Sequence, residues 1–162
     1  MRKLFALASV FMVLGACYGP DPSLTDDGKS KPELSIEFPA ATTPGSVETA
    51  ELTITNPGPG EMDSIVVAFS RLGDPELPAP VVDVAPPNGD GAVKDVSPEP
   101  NGVSPEGIIF TFEGLDEGAS MTISFDLVIP AETGLAGNAI LVYDGRDPER
   151  ARGVRLETEV GG

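Results

Sequence analysis

Histidine and tryptophan are absent from this chain, and cysteine occurs once, at Cys17. Without histidine there is no Ser-His-Asp triad, no Cys-His pair and no imidazole ligand for zinc. An enzyme built from these residues would be left with carboxylate, lysine or tyrosine chemistry. Only two tyrosines, Tyr18 and Tyr143, are present, so aromatic platforms for stacking sugars or bases are nearly missing. Cations are scarce as well: 10 Lys and Arg stand against 26 Asp and Glu, a net charge of −16. That sign argues against nucleic acid, whose phosphates need Lys and Arg, and against adsorption to anionic lipid headgroups. A cationic or calcium-rich environment would suit it better, although net negative charge most often serves solubility.

The longest apolar run begins at Leu4, ends at Leu14 and spans eleven residues. It falls short of the ~20 apolar residues that cross a bilayer. It lies behind Arg2 and Lys3, is apolar all round and is followed by small residues, the make-up of a signal-peptide core. The tetrad Leu14-Gly15-Ala16-Cys17 resembles the bacterial lipobox, a Leu and two small residues before a cysteine. The resemblance implies that the Cys17 thiol receives a diacylglyceryl group and that a signal peptidase reading Leu14, Gly15 and Ala16 cuts before it. Two or three acyl chains hold a protein on a membrane where one is marginal. With no second cysteine and no histidine, a disulfide or a nucleophilic pair is disfavoured for Cys17. Tyr18 follows the cysteine where the family's inner-membrane proteins often carry Asp, which implies the outer membrane in a host that has one. Loss of residues 1–16 removes two cations and leaves a mature chain near −18.

Residues 18–32, "YGPDPSLTDDGKSKP", are rich in Pro, Gly, Ser, Asp and Lys without an apolar period. They are expected to form a disordered tether with an average reach of about 20–23 Å. A calcium loop through Asp21, Asp26 and Asp27 lacks the spacing of a known loop motif.

From residue 33 to residue 160 apolar and polar residues alternate with period 2, broken by some of the 19 Gly and 17 Pro. The apolar sets are Leu34, Ile36, Phe38; Ala50, Leu52, Ile54; Ile65, Val67, Phe69, with Val66 and Ala68 on the other face; Ile108, Phe110, Phe112; and Met121 through Ile129. Ala139, Leu141, Tyr143 and then Val154, Leu156, Val160 complete the pattern. Val81 to Val84 is expected as an edge or irregular strand. The pattern predicts an all-β domain, an immunoglobulin-like antiparallel β-sandwich of about seven or eight strands, with a closed barrel or jelly roll as the other arrangement. The segments "TITNPGPGEMDSIVVAF" (53–69), "GLDEGASMTISFDLVIPA" (114–131) and "GLAGNAILVYDG" (134–145) resemble the conserved-repeat Ig-like domain of bacterial surface and secreted proteins.

Punctuation between the strands has local explanations. Asn56 is expected to cap the Pro-Gly turn that follows it, and Asp116-Glu117-Gly118 to form a hairpin turn. The insert "PPNGDGAVKDVSPEPNGVSPEG" (86–107) is the least patterned stretch, and "DGRDPERARG" (144–153) gathers three arginines in an acidic chain. If the domain binds a ligand, the candidate residues are Asn88, Asp90 and Lys94 in the first loop and Arg146 and Arg150 in the second. No phosphate-binding glycine loop, metal constellation or cofactor site is expected. The reading is a membrane-anchored, non-enzymatic envelope lipoprotein displaying one sandwich for adhesion, scaffolding or partner binding. Its rivals are a calcium- or small-ligand-binding module and an accessory subunit of an envelope secretion or assembly complex.

Overall fold

The computed structural model describes residues 31–71, 80–82 and 93–161. The expected signal segment and lipid-bearing Cys17, and Asn88 and Asp90, lie outside the described residues. Two sheets pack face to face. One contains β1 (Glu33–Glu37), β3 (Val47–Thr55), β8 (Ser120–Val128) and β5 (Val93–Ser97), in the order β1-β3-β8-β5. The other contains β2 (Ala41–Thr42), β10 (Arg152–Val160), β9 (Gly134–Asp144), β4 (Met62–Arg71), β7 (Ile109–Leu115) and β6 (Gly102–Val103), in the order β2-β10-β9-β4-β7-β6. This is an immunoglobulin-like β-sandwich.

The period-2 pattern explains the layering, because successive side chains on a strand point to opposite faces. Leu52 and Ile54 of β3 and Ile123, Phe125 and Leu127 of β8 meet Ile65, Val67 and Phe69 of β4 and Ile140 and Val142 of β9 across the core. Phe69 stands edge-on to Phe125, with ring centroids 5.3 Å apart, and to Phe110 at 6.3 Å. Edge-to-face rings satisfy the aromatic quadrupole better than a stacked sandwich would.

Five local expectations are revised. The strands number ten among the described residues, since β2 and β6 are two-residue pieces with no period to detect. The sheets are not wholly antiparallel: the chain leaves β1, changes sheet, and lays β2 parallel to the end of β10. Asp116-Glu117-Gly118 is not a hairpin turn, because it carries the chain from β7 in one sheet to β8 in the other. The described part of the insert at 86–107, from Val93, forms strands: β5 pairs with β8 and β6 with β7. Of the strand expected at Val81–Val84, Val81 and Val82 form a buried bend, and residues 83 and 84 lie outside the described residues. Asn138, fully buried, holds that bend: its amide donates to Val82 O (2.9 Å) and Ser70 O (3.2 Å), and its Oδ1 accepts from Val82 N–H (2.7 Å).

Candidate functional site

One end of the sandwich gathers the start of β1, the β3–β4 loop, the β7–β8 crossing and the β9–β10 loop. Asn56 organises it. Its side chain is 2% exposed and fully engaged: Nδ2 donates to Gly60 O and Leu115 O, both at 2.9 Å, and Oδ1 accepts from Gly58 N–H at 3.0 Å. The loop reverses through Gly58 and Gly60, whose φ values of 83° and 87° are the left-handed region that glycine enters without strain. Glu117 Oε2 then accepts from Gly60 N–H at 3.1 Å, tying the loop to the sheet crossing. Asn56 thus does more than cap its own turn, since it also joins β3 to the end of β7.

Beside this loop lies a cleft of about 180 Å³. Its walls include Pro32, Met62, Asp63, Asp144, Arg146 and Arg150. The β9–β10 loop closes over one 3-10 turn, Pro148–Arg150, and is an exposed hairpin loop as expected. The Arg146 guanidinium pairs with Asp63, and Arg150 Nε with Asp147 Oδ2 at 2.9 Å. Asp144 Oδ1 accepts from Arg146 N–H at 3.2 Å and Oδ2 from Asp63 N–H at 3.4 Å. Each guanidinium therefore already faces a carboxylate; the Arg146 pair braces the loop against β4, and the Arg150 pair closes within the loop. The Arg146 side chain is 78% exposed, which puts its pair in the range of weak surface bridges.

Of the candidate binding residues, Arg146 and Arg150 come together in this cleft. Lys94 does not: it is an exposed residue on edge strand β5, opposite Asp126 of β8. Asp63 was missed as the partner of Arg146, because nothing local in the sequence marks a contact between β4 and the β9–β10 loop. Among the described residues no group of three or more Cys, Asp and Glu side chains is placed to hold a metal ion.

No protein-family model and no curated protein matches the chain. Solved structures with a similar fold include PapD-like domain 7 of human CEP192, at 15% identity and TM-score 0.43 over 98% of each chain. The CARDB domain of the PF1109 protein from Pyrococcus furiosus, in complex with di-metal ions, is 13% identical with TM-score 0.48 over 81% of this chain and 90% of that one. The human F-spondin reeler domain is 14% identical with TM-score 0.44 over 80% and 93%.

Proposed function

We propose that the chain is a lipid-anchored envelope protein that holds out one Ig-like sandwich as a non-catalytic binding or scaffolding module. The observation that carries the anchoring is the tetrad Leu14-Gly15-Ala16-Cys17 directly behind a cationic start and an eleven-residue apolar run. The geometry of the sandwich suits it. Pro32, where the tether would join, lines the cleft at the Asn56 end, whereas β10 finishes beside β2 at the other end. A tether leaving that first end would place the cleft toward the membrane and present the rest of the sandwich to partners. Binding rather than catalysis is favoured because both guanidinia of the cleft are already paired, Arg146 with Asp63 and Arg150 with Asp147.

The test is fractionation of cells expressing the full chain and its Cys17→Ser variant, with metabolic labelling by a fatty acid. The expected result is labelled protein in the membrane fraction that becomes unlabelled and mislocalised in the variant. Unchanged membrane association of the unlabelled variant would overturn the anchoring.

A further inference from the structure

The outward side of the six-stranded sheet is apolar at its centre. Val66 is 8% exposed yet lies outside the core cluster, as do Ala68, Leu141, Tyr143 and Ile109. They alternate with the inward residues of β4, β9 and β7, so they stand on the solvent side of the sheet. The pairing register sets them in rows. Tyr143 lies beside Val66, and the next row runs Gly153, Leu141, Ala68, Ile109 across β10, β9, β4 and β7.

We infer that this face is the contact surface between two copies of the chain. Two features select a second copy as the occupant. The first is size complementarity about a two-fold axis running along the strands between β9 and β4. That axis places bulky Leu141 over the partner's Ala68 and Tyr143 over the partner's Val66. It also places Ile109 over the partner's Gly153. Gly153 keeps that position low: a Cβ there would stand 3.3 Å from a Leu141 methyl. A two-fold interface needs such self-complementarity, and aligned sheets pack within about 30° of each other. The second feature is charge. These rows contain no acidic residue although the chain is at −16, so two copies meet here with the least like-charge repulsion. Glu113 and Glu157 stand on the same side of the sheet only beyond these rows. The axis also leaves both Asn56 ends on the same side, so both copies reach one membrane. The contact itself does not depend on lipid.

The experiment measures the mass of the full chain, solubilised in a mild detergent, by light scattering and sedimentation, beside Ala68→Arg and Leu141→Arg. The expected result is a dimer for the native chain and at least a tenfold weaker dissociation constant in each variant. Thermal unfolding of the variants should stay close to native, because both residues lie outside the core. As a second readout, differently tagged copies carrying Ala68→Cys and Leu141→Cys should be joined to each other by a short bis-maleimide, which spans the roughly 10 Å between facing sheets where a direct disulfide cannot. A native chain that stays monomeric at high concentration, or variants that dimerise as before, would overturn the inference. So would a monomeric native chain whose face variants lose a different bound protein, since the occupant would then be foreign. Failure of lipid labelling in the fractionation experiment would leave this result standing, so the two readings fail separately.

Discussion

The two outer faces of the sandwich come from the same alternation and have opposite character. On the four-stranded sheet the outward residues are mostly Thr, Ser, Glu and Asp, with the Val47–Val128 pair at one end and Lys94 on the edge. They form a ladder in which Thr53 and Thr122 hydroxyls lie 3.1 Å apart, Thr55 and Ser120 hydroxyls 2.7 Å apart, and the Thr49 hydroxyl donates to Asp126 at 2.6 Å. On the six-stranded sheet the corresponding positions hold Val66, Ala68, Leu141, Tyr143 and Ile109. Both sheets close the same core, so folding alone does not call for the second set. The difference teaches that one sheet is finished toward water and the other toward a protein surface, since exposed contiguous apolar patches mark contact sites.

The largest effect should break both faces at once. Phe125 is 2% exposed between the sheets, and Phe125→Ala is expected to cost about 3–5 kcal/mol in urea unfolding. Next comes Asn138→Ala, which would leave Val82 N–H and C=O buried without their partner. Each orphaned group costs about 1–3 kcal/mol, and only the six-stranded side should loosen, seen as faster amide exchange in β9 and β4.

Smaller effects sharpen the contrast. Thr53→Leu with Thr122→Leu would copy the apolar face onto the polar sheet. Stability should fall by only about 1 kcal/mol from the lost hydroxyl contact, but new self-association should appear by light scattering, independent of Ala68 and Leu141. The smallest change is expected from Glu51→Lys. Glu51 stands directly opposite Glu37, and like charges across a strand pair destabilise. The substitution should raise stability by about 0.2–1 kcal/mol at low salt, and the gain should shrink as salt rises from about 0.1 M to about 1 M. Absence of that salt dependence would remove the like-charge account.

The strand content was legible because alternation is a local property. Leu52, Ile54, Ile65, Val67, Ile123 and Phe125 declare their inward side without reference to any neighbour. Val66 and Ala68 were equally legible as outward residues of β4, but not as part of a patch, because their neighbours Leu141, Tyr143 and Ile109 arrive from distant segments through the register. The cleft was half legible. Arg146 and Arg150 stand out as cations in an acidic chain, whereas their carboxylate partners Asp63 and Asp147 look like any other of the 26 acids.

Alternation, turn chemistry and charge are encoded within a few residues of each other. By itself, therefore, the sequence determined the all-β class, the Asn56 turn and the inward side of β3, β4, β7, β8 and β10, but not that of β9, whose apolar set Ala139, Leu141 and Tyr143 faces outward while Ile140 and Val142 enter the core. Which strands pair was decided only in three dimensions, because Asp116-Glu117-Gly118 offers the same turn chemistry whether the chain folds back in one sheet or crosses to the other. Crossing places β7 beside β4 and β8 beside β3. That choice brings Ile109 alongside Ala68 and Leu141 on one face and leaves the threonine ladder on the other.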